Sequence, residues 1–126
     1  MYPSGHIDLR VRDLEAVYPF YAAILPELGF PHEWRGEDAF SFQTEGKLPR
    51  LSWFGVIEDR DHVPNATRIA FAVESREEVD RFAEIVRSAG ARNVEGPEDM
   101  PYTRIYRAVY FDDPSGNRLE IYYCEE

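Results

Sequence analysis

Thr67-Arg-Ile-Ala-Phe-Ala-Val-Glu74, running directly into Ser75-Arg-Glu-Glu-Val-Asp-Arg-Phe82, decides the fold. Ile69, Phe71 and Val73 alternate with Arg68, Ala70 and Ala72, the period of a strand with one buried face. Ser75 and Glu78 then form a capping box, each side chain bonding back to the other residue's backbone N–H. Val79, Phe82, Ala83, Val86 and Ala89 follow at helical spacing, and Gly90 ends the helix. The same arrangement stands near the start of the chain. Ile7, Leu9 and Val11 alternate with His6, Asp8 and Arg10; Asp13 caps a helix carrying Leu14, Val17, Tyr18, Tyr21, Leu25 and Leu28. Laying His6 on Arg68 brings Asp13 onto Ser75, and Arg50-Leu-Ser-Trp53 then resembles Arg118-Leu-Glu-Ile121. The chain therefore reads as two copies of one module.

Outward from these anchors, each helix is followed by three short strands. In the first module they are expected near 30–35, 38–43 and 50–57, with Gly36-Glu-Asp38 turning the first hairpin. Pro19 predicts a kink in the first helix and Pro26 a frayed end, with Gly29 closing it. Residues 58–66 carry no periodicity and read as the linker between modules. In the second module the strands are expected near 91–95, 104–112 and 117–124. Residues 96–103, with Gly96, Pro97 and Pro101, read as a loop able to cover a pocket, and Asp113-Pro-Ser-Gly116 as a tight turn.

Composition narrows the partners. The chain has 126 residues, 44% hydrophobic and 30% charged, which suits a globular protein with a real core. Its net charge of −10 opposes nucleic-acid phosphates and anionic membranes, so neither is an expected partner. No apolar run reaches the roughly 20 residues of a membrane span, and Met1-Tyr-Pro-Ser-Gly-His6 lacks the pattern of a signal peptide. Cys124 is the one cysteine, so a reducing cytoplasm is the expected location. There is no glycine-rich phosphate loop, nucleophile elbow, CxxC pair or HExxH motif.

Strand, helix and three strands, twice over, resembles the vicinal oxygen chelate superfamily of glyoxalases, extradiol dioxygenases and bleomycin-resistance proteins. The resemblance covers nearly the whole chain. It is most specific at Arg68-Ile-Ala-Phe-Ala-Val73 and at Asp112-Asp-Pro-Ser-Gly-Asn-Arg-Leu-Glu-Ile121, which is similar to that family's terminal D-P-x-G-N-x-[IL]-E signature. It implies an α+β fold of two tandem βαβββ modules, forming a curved mixed sheet around a cavity with the helices outside. It also implies a homodimer and a small-molecule ligand.

Metal-bearing members of that family draw ligands from the first and last strand of each module. By the repeat, those positions here are His6 and Ser52 in the first module, Arg68 and Glu120 in the second. His6 and Glu120 are good ligands for Zn, Fe, Mn or Ni. Ser52 is a poor one, and a guanidinium cannot be deprotonated to coordinate. His62 is one further residue that could supply a third ligand from the linker. The expectation is therefore no cofactor, with Arg68 taking over the electrostatic role of the metal beside Glu120. Tyr106 and Tyr110 are candidates for lining the cavity, or for simple packing. Three functions stay open: a binding module for an anionic or oxygen-rich small molecule, held by His6, Ser52, Arg68, Glu120 and Tyr106; a metal-dependent enzyme of glyoxalase or dioxygenase type, with His6 and Glu120 as ligands; and metal-free acid–base catalysis with Glu120 as the base.

Overall fold

The structure is a computed structural model and describes residues 5–126. Met1–Ser4, on which the reading of the N-terminus partly rests, lie outside the described residues. The chain falls into two compact units, the first ending at Val63 and the second beginning at Pro64. Each repeats the same element order.

In the first unit β1 (His6–Val11) leads to α1 (Leu14–Ile24) and then to β2 (His32–Arg35), β3 (Ala39–Gln43) and β4 (Trp53–Glu58). These strands form a four-stranded mixed sheet in the order β1-β4-β3-β2, with β1 parallel to β4. Asp13 caps α1 as its carboxylate accepts from Ala16 N. A second carboxylate helps from a distance: Leu14 N donates to Glu58 Oε2 at 2.9 Å. Glu58, expected in the linker, is thus the last residue of β4 and ties that strand to the start of α1. The helix runs through Pro19 and stops at Ile24, earlier than its apolar spacing extends. Pro26 explains the stop, since it has no N–H to continue the ladder. Val17, Phe20, Tyr21 and Ile24 are buried, and the Tyr21 ring lies 5.8 Å from Phe54 and 6.2 Å from Phe40.

In the second unit β5 (Arg68–Ala72) and α2 (Arg76–Ala89) precede β6 (Arg92–Asp99), β7 (Ile105–Asp112) and β8 (Arg118–Glu125). The sheet order is β5-β8-β7-β6, the same as in the first unit, with β5 parallel to β8. Ser75 Oγ accepts from Glu78 N, and Gly90 closes α2 in the left-handed region at φ +107°. Val79, Phe82, Ala83 and Val86 of α2 are fully covered, as are Val109, Phe111, Leu119 and Ile121 of the sheet beneath. The α+β architecture of two βαβββ modules is as the repeat predicted, each module carrying its own four-stranded sheet.

Two boundaries differ from expectation. The last strand of the first module starts at Trp53, not at residue 50, because Ser52 and Thr44 bond to each other across the preceding turn. The expected loop over 96–103 is strand as far as Asp99. Two register shifts against β7, and Gly96 at φ +93°, let β6 continue where a proline would otherwise break the ladder.

The turn between β7 and β8 is built on a buried carboxylate. Asp113 Oδ1 accepts from Ser115 N at 2.8 Å and Asn117 N at 2.9 Å, and Oδ2 accepts from Asn117 Nδ2 at 3.2 Å. Asp113 N donates to Asn117 O, closing the hairpin. Asp113→Ala orphans two backbone donors at about 1–3 kcal/mol each, so a loss of at least about 2 kcal/mol is expected in urea unfolding at unchanged m value. A smaller loss would mean that the turn does not depend on its carboxylate.

Candidate functional site

Alternation gives the second sheet two unlike faces. Ile69, Phe71, Leu119, Ile121, Val109 and Phe111 turn one way, in phase with the α2 side. Arg68, Ala70, Glu120, Tyr122, Tyr106 and Tyr110 turn the other. The ladder sets Ala70 beside Glu120 on β5 and Tyr110 beside Glu120 on β7. Glu120 therefore sits at the centre of this face, and it is 2% exposed.

A buried carboxylate needs partners for both oxygens. Glu120 Oε1 lies 3.2 Å from Arg68 Nε, and Glu120 Oε2 accepts from the Tyr106 hydroxyl at 2.5 Å. Arg68 is itself half exposed at 50%, so one edge of its guanidinium is held while the group still reaches solvent. The Arg68 Cζ stands 5.2 Å from the centre of the Tyr110 ring. Arg118, beside Arg68 in the ladder, is committed elsewhere: it donates to Asp112 Oδ1 and Asn93 O and pairs with Glu95. Aromatic rings complete the face. Tyr106 stacks on Tyr122 at 5.2 Å and 7°, and Tyr102 meets Tyr106 edge-on at 5.0 Å.

Both site tyrosines hold their protons tightly. Burial raises the Tyr106 pKa, and its bond to the Glu120 carboxylate raises it further. Burial likewise pushes Tyr110 up to about 12, with the negative charge of Glu120 as the second cause. Both phenols are donors across the physiological range.

The first module places its candidates differently. His6 stacks flat on Trp53, rings 4.4 Å apart and 2° from parallel, with Nε2 3.5 Å from Asp8 Oδ2. His6 pairs with Trp53 in the ladder, whereas its counterpart Arg68 pairs with Arg118. Counting two residues on, the equivalent of Glu120 is Gly55, not Ser52. Ser52 stands ahead of β4 in phase with Phe54, and its backbone N–H is taken by Thr44 Oγ1. The resemblance between Arg50-Leu-Ser-Trp53 and Arg118-Leu-Glu-Ile121 is thus three residues out of structural register. In the first module the carboxylate comes from the neighbouring strand instead. Asp8 lies against Gly55 so closely that a Cβ there would fall 2.5 Å from Asp8 Oδ1. His62 lies after β4, its carbonyl accepting from Arg12 Nε.

Of the candidate residues, the structure brings Arg68 and Tyr106 against Glu120. Tyr110, a candidate for the cavity lining or for packing, lies on the Glu120 face; Tyr122 and Asp8 are not singled out by the sequence, although strand phase alone puts Tyr122 on that face. The second-module donor set does not fit a divalent metal. It offers one carboxylate, both of whose oxygens are already engaged, and a guanidinium with no lone pair to give. Among the described residues no group of three or more His, Cys, Asp or Glu side chains gathers as a metal site.

The two tyrosines generate a pH expectation. Their folded pKa values lie above the ordinary value of 10.0, so their contribution to stability is complete below pH 10. It is lost as pH climbs toward about 12, where the unfolded chain has released protons that the folded chain retains. Phenolate absorbance should show Tyr106 and Tyr110 ionising late, together with unfolding. Tyr110→Phe and Tyr106→Phe should each remove one late-ionising group.

The family model described as Glyoxalase/Bleomycin resistance protein/Dioxygenase superfamily matches residues 4–121. No curated protein matches the chain. Among solved structures, a glyoxalase/bleomycin resistance protein from Albidiferax ferrireducens T118 superposes with a TM-score of 0.77 at 23% identity, covering 98% of this chain and 100% of that one. The fosfomycin resistance protein FosX of Listeria monocytogenes gives 0.72 at 23% identity, with 99% and 95% covered. A glyoxalase/bleomycin resistance protein/dioxygenase family enzyme from Burkholderia phytofirmans PsJN gives 0.72 at 19% identity, with 94% and 96% covered. At these identities the structural likeness carries the fold, while the family match spans almost the whole sequence: the chain belongs to the glyoxalase/bleomycin resistance protein/dioxygenase superfamily.

Proposed function

We propose that this protein binds a small organic oxyanion on the Glu120 face of its second module, with Arg68 as the cation that receives it. The observation that carries this reading is the Arg68–Glu120 pair. Glu120 is buried and holds Nε, so the guanidinium is fixed in place before any ligand arrives. A pre-fixed guanidinium loses little freedom on binding and matches the planar, two-oxygen geometry of a carboxylate. The stacked tyrosines Tyr106 and Tyr122 offer flat apolar surface next to it. His6 and Asp8 belong to the corresponding face of the first module and are further candidates for ligand contact, whereas Ser52, ahead of β4 and in phase with Phe54, is on the opposite face.

Glu120 is better suited to hold Arg68 than to remove a proton. It is 2% exposed and already paired with the Arg68 guanidinium and the Tyr106 hydroxyl, whereas a general base has to come within hydrogen-bond reach of the substrate's proton. The metal-dependent alternative, a glyoxalase- or dioxygenase-type enzyme using His6 and Glu120, would set the ion beside the positive charge of Arg68 at Glu120. A cytoplasmic homodimer completes the proposal and rests on family membership; no helix among the described residues is long and apolar enough to cross a membrane.

The test is calorimetric titration of benzoate into wild type, Arg68→Lys and Arg68→Ala. A hydrogen bond to a charged group contributes about 1.5–3 kcal/mol, so Arg68→Ala should weaken benzoate by about 10- to 100-fold, with Arg68→Lys between. Equal binding by Arg68→Ala would overturn the reading. So would stoichiometric metal in untagged protein that disappears in the His6→Ala/Glu120→Ala double mutant, which would favour the metalloenzyme instead.

A further inference from the structure

Tyr110 carries a polar atom that the fold does not use. The residue is 6% exposed, and its hydroxyl is buried without a hydrogen-bond partner among the described residues. Tyr102 is close enough to contribute to its raised pKa but not in hydrogen-bonding geometry. Leaving a buried hydroxyl unpaired costs free energy, and phenylalanine would fill the same space without that cost. The neighbouring phenol makes the contrast plain: Tyr106 donates to Glu120 at 2.5 Å, while Tyr110, opposite Glu120 in the ladder, does not. Glu120 pairs with Arg68 through its other oxygen, and the Tyr110 hydroxyl bonds to neither.

We infer that Tyr110 is a reserved donor which, with Arg68, reads the carboxylate of an aryl or similarly flat, conjugated acid. This rests on the preceding reading of Arg68 as the ligand's cation and adds a second recognition element and a substrate class. The guanidinium lies over the Tyr110 ring, so a carboxylate received at its free edge comes close to this phenol. One oxygen takes the guanidinium and the other takes the phenolic O–H. Tyr102, 58% exposed on the turn between β6 and β7, is the side chain that such a ligand displaces from beside the hydroxyl. The body of the acid then occupies Tyr102's place against the edge of the Tyr106 ring. Aromatic contact of this kind favours a flat ring over a puckered one. A ligand ammonium is disfavoured, since it would meet the like charge of the half-exposed Arg68 guanidinium. Burial keeps the phenol protonated across the physiological range, so the donor is available there.

The experiment compares wild type, Tyr110→Phe and Arg68→Ala, each titrated with benzoate and with cyclohexanecarboxylate, and each melted without ligand. The expected result is that Tyr110→Phe binds benzoate about 10-fold more weakly, a neutral donor's share of a charged hydrogen bond. Its melting temperature without ligand should equal or exceed that of wild type, because an unsatisfied group has gone. Cyclohexanecarboxylate should bind wild type more weakly than benzoate does. Unchanged benzoate affinity in Tyr110→Phe, with affinity lost in Arg68→Ala, would overturn the role of Tyr110 and leave the Arg68 reading standing. A lowered melting temperature with unchanged affinity would make the hydroxyl structural and overturn it equally. Equal affinity for the two acids would remove the conjugated body from the substrate class. No benzoate binding by wild type would overturn both readings together.

Discussion

A carboxylate at the centre of a sheet face is the constraint around which the second module is arranged. Glu120 is buried to 2% exposure on a strand whose neighbours in sequence, Leu119 and Ile121, are fully in the core. An ion so placed persists only where its lost hydration is replaced. The replacement comes from two strands at once, a cation from β5 and a phenol from β7, so the pairing of both strands with β8 has a polar as well as an apolar basis. The half-exposed guanidinium keeps part of its own hydration, which makes the pair less costly than a fully buried one. Charge at this spot is therefore bound up with register. A slip of β8 by one residue would turn Glu120 into the α2 core and Leu119 toward Arg68.

The two modules solve the same placement problem by opposite means. In the second, the central carboxylate stands on the last strand and the first strand offers only Ala70. In the first, the last strand offers Gly55 and the first strand supplies Asp8, whose oxygen fills the space that a Gly55 side chain would need. Each carboxylate has a basic partner at the start of its module's first strand: Arg68 for Glu120, His6 for Asp8. The difference is exposure. The His6–Asp8 pair is open to water on both sides and contributes little as a salt bridge, whereas Glu120 is sealed. Pre-organised electrostatics are thus concentrated in the second module.

Sequence periodicity carried the architecture because both helices and both leading strands obey their periods and are capped by side chains, Asp13 and Ser75. The pairing of Arg68 with Glu120 was legible for the same reason: both lie on regular strands whose phase is unambiguous. What failed was register across a turn. Ser52 was matched to Glu120 by the likeness of four residues, yet alternation is blind to where a strand begins. Here Thr44 and Ser52 bond across the turn and delay β4 until Trp53. Strand β6 was cut short because Gly96-Pro97 reads as a breaker, and only the sheet reveals the bulges that absorb it. The unpaired state of the Tyr110 hydroxyl is invisible to any pattern in the chain, since it depends on how the side chains around it are placed in three dimensions.

The terminal signature is then best understood as architecture in the service of that carboxylate. Asp113, Ser115, Gly116 and Asn117 spend their polar groups on one another, closing the hairpin from β7 into β8. None of them faces the site. Their effect is to start β8 at Arg118 in one register only, with Asp112 opposite Arg118 and Tyr110 opposite Glu120. A motif of this kind identifies the fold without identifying the chemistry. It delivers the residue at its glutamate position to the same place whether the first strand meets it with a metal-binding histidine or, as here, with a guanidinium. What that glutamate meets is set one strand away, at Arg68. A single change of residue type there converts a position that could coordinate a metal into one that can only donate hydrogen bonds.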